Sequence, residues 1–193
     1  MTYPRFERSV AYHCAPALVG LKPACLISLP AADYPALPRL AAAYSRRLED
    51  RGIRMEVLCR CRRRFLLLVY RPELLERCLR SHRVAELLEE AGYPAGVSCA
   101  VLLGCLSSRI AAEGDFPHEL GLFLGYPPED VVGFMASGGS GCRLCGEWKV
   151  YQDVEGARRQ FQKFALCRSA LCGRLERGYS LLSLLGAAKR PAA

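Results

Sequence analysis

Two adjoining apolar segments joined by a basic turn constrain the fold of this chain most strongly. Residues 53–60 alternate in part between apolar and polar side chains, and residues 65–70 are apolar throughout. The arginines at 62–64 lie between them and predict an exposed turn, so the pattern is typical of a β-hairpin. Further strands are indicated at 24–29, a short apolar run bounded by prolines, and at 147–151, where side chains alternate. We therefore expect one small, mostly antiparallel sheet.

Proline, serine, aspartate and glycine divide the remaining chain into segments with helical periodicity. Helices are predicted from Pro35 or Pro38 to about Asp50, from Pro72, after Ser81, over 98–112, from Asp115 to Gly125, from Pro127, and from Asp153 to about Gly178. A strand at 98–104 is an alternative to the start of one helix. Residues 4–12 fit a short helix or an extended segment, and 13–23, where proline and glycine alternate, is predicted to be a loop. The expected class is α+β: a small, mostly antiparallel β-sheet packed with several α-helices, the last of them long.

A chain of 193 residues is long enough to bury a substantial core, and one domain is the default at this length. We expect a single globular domain over 1–186 and a frayed tail over 187–193. No apolar run approaches the roughly 20 residues that span a bilayer. The apolar run near the N-terminus is interrupted by His13, Cys14 and Lys22, which makes it a poor signal peptide. The expected location is cytoplasmic, with no membrane partner.

The net charge of +8 raises the question of a nucleic-acid partner. The basic cluster at 60–64 lacks the interleaved aromatic residues of a single-strand binding surface, so a solvated hairpin tip is the better interpretation. The helix predicted from Pro127 begins with Glu129 and Asp130, where a DNA-reading helix would need donors. Nucleic acid is therefore not an expected partner.

The cysteines raise the question of disulfides or a metal site. The chain has 11 cysteines, and without an export signal we expect most of them to be buried thiols that behave as small hydrophobes. The pair Cys142 and Cys145 has the spacing of zinc ligands, but a zinc site needs about four ligands. Cys167 and Cys172 are spaced so that they point apart on a helix. No metal site is predicted.

Two longer motifs carry a family resemblance. The first is HCAPALVGLKPACL at 13–26, and the second is FPHELGLFLGYPPEDVVGF at 116–134, followed by GEWKVYQD at 146–153. Together they resemble the domain of unknown function 3793 family, a bacterial family found mainly in anaerobic Firmicutes. The resemblance extends over nearly the whole chain and implies a single cytoplasmic domain. It implies no activity.

The residues of these motifs are the candidates for a shared pocket. Lysine supplies only four of the 27 basic residues, so Lys22 and Lys149, both inside the motifs, are inferred to need a compact, titratable ammonium group. The predicted site combines Cys14 as nucleophile or soft ligand, Lys22 and Lys149 as anion-binding or acid–base groups, His118 with Glu119 as a proton-transfer pair, Tyr126 and Trp148 as walls, and His13 and Tyr151 as further ligand contacts. The competing interpretation is that the aromatic residues only fill the core.

Two functions remain open from the sequence. Adjacent residues rarely act as thiolate and base on each other, because their side chains diverge, so activation of Cys14 by Lys22 or His118 is the expectation. The alternative is that His13 and Cys14 are structural. The leading hypothesis is a small-molecule or cofactor-binding protein, with cysteine-dependent enzyme activity left open. The alternative is a non-enzymatic interaction or regulatory module, including a variant that holds metal or haem through Cys and His. No particular cofactor or oligomeric state is indicated.

Overall fold

A three-stranded antiparallel sheet lies at the centre of the structure, a computed structural model that describes residues 4–61, 63–112 and 116–186. The strands are β1 (Ala24–Pro30), β2 (Arg54–Cys61) and β3 (Arg64–Tyr70). They lie in the order β1-β3-β2, so β3 is the central strand. Tyr70 of β3 aligns with Ala24 of β1 on one side and with Arg54 of β2 on the other.

Helices cover both faces of this sheet. They are α1 (Pro4–Leu18), α2 (Leu37–Leu48), α3 (Pro72–Leu79), α4 (His82–Glu90), α5 (Cys99–Ala112), α6 (Leu120–Phe123), α7 (Pro128–Ser137), α8 (Val154–Glu176) and α9 (Leu181–Gly186). On β3, Phe65, Leu67 and Val69 face α1, α2, α8 and α9, whereas Leu66, Leu68 and Tyr70 face α3 to α7. Because successive strand side chains point to opposite faces, an uninterrupted apolar strand is what a sheet covered on both faces requires.

A separate hairpin of β4 (Leu144–Cys145) and β5 (Lys149–Val150) packs against α8. Trp148 and Val150 join Ala157 and Phe164 of α8 in a third, smaller apolar cluster. The α+β class, the hairpin of β2 and β3 and the long helix near the C-terminus are confirmed. The placement of 147–151 in the main sheet is wrong: this segment pairs with residues just before it, because closing a short turn costs less chain entropy than reaching a distant strand.

The predicted loop at 13–23 is also wrong in its first half, since α1 continues to Leu18 with Pro16 inside it. Proline has no N–H to give to the carbonyl four residues earlier, here that of Tyr12. Arg168 of α8 supplies the missing donor, with its Nε 2.7 Å from the Tyr12 oxygen. The helix therefore passes through a proline because a second helix satisfies the carbonyl that the proline leaves unpaired.

Two other segments differ from expectation. The strand alternative at 98–104 is wrong, because Cys99–Ala112 is helical. The helix predicted from Asp115 is only the short α6, with His118 and Glu119 in the turn before it. Asp115 itself and the tail at 187–193 lie outside the described residues.

Candidate functional site

The two sequence motifs lie against each other at Pro23 and Gly125. Gly125 has φ 72°, and a Cβ built on it would lie 2.4 Å from Cγ of Pro23. Only glycine fits both this left-handed conformation and this close approach. The turn after α6 therefore rests directly on the turn before β1. Leu124 and Tyr126, on either side of the glycine, each line two adjacent cavities.

The first cavity, which we call the aromatic pocket, lies between α6, α7 and the β4–β5 hairpin. It has a volume of about 360 Å³. Its lining is mostly apolar, and the side chains that give it its character are Phe116, His118, Tyr126, Phe134, Trp148 and Lys149. Ligand pockets in proteins commonly have this combination of apolar walls and a few polar groups, at volumes of about 300 to 1,000 Å³.

Asp130 holds the back wall of the aromatic pocket in place. Its carboxylate is buried and accepts a hydrogen bond from Trp148 Nε1 at 2.7 Å. The other oxygen accepts from the backbone N–H groups of Tyr151, at 2.7 Å, and Gln152, at 3.2 Å. Trp148 in turn stacks on Tyr126, with ring centroids 5.3 Å apart. The sequence marked Asp130 only as an acidic residue in a first helical turn, and nothing in the local pattern indicated this role.

The polar groups of the aromatic pocket are Lys149 and His118. Lys149 Nζ donates to the Gly139 carbonyl at 2.5 Å and lies 5.6 Å from the centroid of the Phe134 ring. His118 is exposed and meets the same ring edge-on, at 5.2 Å. Burial raises the pKa of Tyr126 to about 12, so this wall is neutral at physiological pH. The pocket thus combines a flat apolar interior with a cation beside it.

The second cavity, which we call the lysine recess, has a volume of about 180 Å³. It is lined by Tyr12, His13, Lys22, Cys25, Leu26, Leu124, Tyr126, Glu147 and Arg168. Lys22 is only 7% exposed, and its Nζ lies 4.7 Å from the centroid of the Tyr126 ring. Among the described residues, none accepts a hydrogen bond from this ammonium or forms an ion pair with it.

The surroundings of Lys22 determine the direction in which its pKa shifts. Burial, the largest cause, lowers the pKa of Lys22, because a charged group loses solvation in the interior. Glu147 offers little direct compensation, since its carboxylate pairs with Arg168 at 2.7 Å. Burial followed by the positive charge of Arg168 also lowers the pKa of His13, which favours a neutral imidazole in the recess. The Lys22 side chain is thus largely buried, with its ammonium group over the Tyr126 ring and at the edge of the recess.

Cys14 does not line either cavity. It is fully buried on α1, in the same apolar cluster as Cys25 of β1, which does line the lysine recess. The hydrogen bond from Cys14, the largest lowering cause, and the charge of Lys22 lower the pKa of Cys25. The hydrogen bond to Cys25, followed by burial, raises the pKa of Cys14. The thiol that shares the recess with Lys22 is therefore Cys25, which no sequence pattern singled out although it stands three residues after Lys22 in the same motif.

Glu119 and Tyr151 are engaged elsewhere. The buried Glu119 carboxylate accepts hydrogen bonds from Tyr93 Oη at 3.0 Å and from Arg109 Nη1 at 3.1 Å, so it is directed to α5 and not to His118. Tyr151 packs against α7, where a Cβ on Gly133 would lie 2.6 Å from Cγ of its ring. Of the predicted site residues, the structure thus gathers His118, Tyr126, Trp148 and Lys149 around one cavity and His13 and Lys22 around the other.

Neither a metal cluster nor a membrane span is found in the described part of the chain. No group of three or more His, Cys, Asp and Glu side chains in these ranges is placed to hold a metal ion. Cys142 is half-buried and Cys145 exposed, and both are free thiols. No helix in the same ranges is long and apolar enough to cross a membrane.

Comparison with known proteins gives one match. Residues 10–185 match the model of a family described as "Protein of unknown function (DUF3793)". No curated protein matches the chain, and no solved structure does. The match covers both motifs and both cavities, in agreement with the resemblance read from the motifs.

Proposed function

We propose that this chain, which belongs to the DUF3793 family of proteins of unknown function, binds a small, flat, anionic aromatic molecule in its aromatic pocket. The observation that supports this most directly is the pocket itself. An open cavity of about 360 Å³ is bordered by four aromatic rings, with a lysine ammonium beside them.

The rings favour a flat ligand. Phe116 is 52% exposed, and Phe134 is half-buried at the cavity wall, so both rings have faces or edges available to a guest. Aromatic pairs gain about 0.5 to 1.5 kcal/mol beyond simple burial when rings meet in stacked or edge-to-face geometry. A planar aromatic ligand would gain this additional stabilisation from several of the pocket's rings at once.

Lys149 favours a negative charge on that ligand. An ammonium group has three N–H donors, and one of them is used by the Gly139 carbonyl. Among the described residues, no carboxylate pairs with Lys149. Asp130, the acidic residue in the lining, is occupied by Trp148 and the backbone. The charged group with a donor free for a ligand is therefore Lys149, since the Asp130 carboxylate is directed into hydrogen bonds with Trp148 and the backbone.

Trp148 makes the proposal directly testable, because it is the single tryptophan of the chain and lines the pocket. The probe is 1-anilinonaphthalene-8-sulfonate, a flat aromatic sulfonate. We expect saturable binding with quenching of Trp148 emission and energy transfer to the dye. Lys149→Met should weaken binding about tenfold, the value of a hydrogen bond to a charged group. Lys163→Met, which changes an exposed lysine on α8, is the matched control and should bind as the wild type does.

Equal affinity in Lys149→Met and wild type would contradict the anionic ligand, and dye binding without any change in Trp148 emission would contradict the pocket. Circular dichroism of each variant excludes dye binding to unfolded chains.

One observation favours the alternative of an interaction module. Phe116 and Met135, exposed to 52% and 47%, stand on the elements that form the aromatic pocket. A protein partner that docked there would bury both. In that case Met135→Glu would abolish association in a pull-down while leaving dye binding at Trp148 unchanged, whereas the small-molecule proposal needs no partner.

A further inference from the structure

The lysine recess contains a second reactive arrangement that the aromatic pocket does not use. Cys25 lines the recess together with Lys22, and the fully buried Cys14 of α1 lies in the same apolar cluster as Cys25. The Lys22 side chain makes no hydrogen bond or ion pair within the described ranges, although the residue is only 7% exposed. The ammonium group borders the recess without an anion partner, so its charge would stabilise an anion that forms there.

We infer that Cys25 and Cys14 form a redox-active dithiol that reduces small disulfides, with Cys25 as the attacking sulfur, Cys14 as the resolving sulfur and Lys22 as the group that stabilises the Cys25 thiolate.

Access decides which sulfur attacks. Cys25 borders a cavity of about 180 Å³, whereas Cys14 has no exposed surface and does not line that cavity. A cavity of that size admits one end of a small disulfide and excludes a folded protein. The first sulfur to meet the substrate is therefore that of Cys25.

The reaction balances with the substrate as oxidant. The Cys25 thiolate attacks one sulfur of R–S–S–R, and the electron pair of the broken bond leaves on the other sulfur as RS⁻, giving Cys25–S–S–R. The Cys14 thiolate then attacks the Cys25 sulfur and releases the second RS⁻. The two protons lost by Cys25 and Cys14 end on the two released RS⁻ groups. Two protein thiols are oxidised to one disulfide, and one external disulfide is reduced to two thiols.

The effect of Cys25 on the pKa of Cys14 explains why Cys25 attacks first and Cys14 second. In the resting state the hydrogen bond to Cys25 is the largest cause that raises the pKa of Cys14, and the negative charge of Cys25 is another. Both disappear once Cys25 carries the R–S group, because its sulfur is then neutral. The nearby Lys22 charge continues to favour the thiolate of Cys14. Cys14 is thus held protonated before the first attack and becomes easier to deprotonate for the second.

The test uses the full chain, reduced and freed of reductant, with bis(2-hydroxyethyl) disulfide as the probe. Samples are quenched with acid, alkylated, digested without reduction and analysed by mass spectrometry. The wild type should yield the Cys14–Cys25 linked peptide pair before any other disulfide. Cys14→Ser should instead accumulate the mixed disulfide on Cys25, and Cys25→Ser should leave Cys14 unmodified.

Cys99 provides the internal reference. It is half-buried, and burial raises its pKa to about 11. Each pKa unit changes the thiolate fraction about tenfold, so Cys25 should react at least about ten times faster than Cys99 in the same sample. In an unfolded protein the probe would modify both thiols at similar rates. The ratio of the Cys25 rate to the Cys99 rate therefore also reports whether the protein is folded.

Lys22→Met should slow the modification of Cys25 about tenfold, and Lys163→Met, the exposed control, should not. This comparison keeps all cysteines in place, so it remains decisive if a serine variant fails to fold. Reaction of Cys25 no faster than Cys99, absence of the Cys14–Cys25 pair, or an unchanged rate in Lys22→Met would each overturn the inference. None of these outcomes bears on dye binding at Trp148.

Discussion

Asp130 shows how a single side chain can fix the geometry of a cavity. One carboxylate holds the indole of Trp148 and two backbone N–H groups of the segment after β5. Removing it would leave several donors without their acceptor near the protein interior. A donor left unsatisfied in the interior costs about 1 to 3 kcal/mol, so we expect Asp130→Ala to lower the free energy of unfolding by about 3 kcal/mol.

The measurement is urea unfolding followed by circular dichroism, with Glu129→Ala as the control. Glu129 is adjacent and exposed, and its replacement should change stability by no more than about 0.5 kcal/mol. Asp130→Asn should fall between the two, because the amide keeps one acceptor oxygen. A loss in Asp130→Ala as small as that of Glu129→Ala would show that the carboxylate is not needed to hold Trp148.

The sequence indicated most clearly which residues lie at a cavity where a rare residue type occurred inside one of the two motifs. Lys22, Trp148 and Lys149 stood out because they are rare residues inside long motifs, and the structure places all three at a cavity. The sequence favoured Cys14 over Cys25 wrongly as the cavity cysteine, since both are cysteines in apolar surroundings and only the packing of α1 against β1 shows that Cys25 is the one at the cavity.

At the scale of elements, α8 supports α1 through Arg168. Its guanidinium donates to the Tyr12 carbonyl and to Glu147, each at 2.7 Å, and so joins α1, α8 and the β4–β5 hairpin. We expect Arg168→Met to lower the free energy of unfolding by about 2 kcal/mol, as for hydrogen bonds to a charged group. Arg158→Met is the control: its ion pair with Glu155 is longer, at 3.7 Å, and exposed on both sides, so little change should follow.

A double-mutant cycle tests the reason for this role. In Pro16→Ala the backbone regains an N–H that can bond the Tyr12 carbonyl within α1. Arg168→Met should therefore cost about 1 kcal/mol less in the Pro16→Ala background than in the wild type. Strictly additive effects in urea unfolding would mean that Arg168 does not substitute for the bond that Pro16 removes.

The same contact explains which elements the sequence could predict. Helices with ordinary ends, such as α2, α3 and α7, follow from proline at the start and apolar spacing. The extension of α1 through Pro16 depends on a donor 152 positions later in the chain, Arg168. The β4–β5 pairing likewise depends on competition between a near and a distant partner strand. Local sequence patterns carry no information about the extension of α1 or the pairing of β4 with β5, because tertiary contacts determine both.

For the whole molecule, the sheet is the element that both large apolar clusters share. Leu67 and Leu68 are neighbours on β3, both fully buried, with Leu67 in the cluster formed with α1, α2, α8 and α9 and Leu68 in the cluster formed with α3 to α7. A strand that contributes to both clusters cannot lose its packing on one face without weakening the other. The prediction of one domain over 1–186 therefore has a direct thermodynamic consequence.

Leu67→Ala and Leu68→Ala should each lower the free energy of unfolding by about 3 kcal/mol, within the range for deleting a buried leucine side chain. In both variants, the transition seen by circular dichroism and the transition seen by Trp148 fluorescence should shift together, because Trp148 lies in the third cluster, against α8. Leu166→Ala is the control, because the Leu166 side chain on α8 is 71% exposed and its removal leaves the core unchanged. Neither transition should shift in this variant. If Leu67→Ala moved one transition and not the other, the cluster that contains Trp148 would unfold separately from the sheet, and the chain would contain more than one cooperative unit.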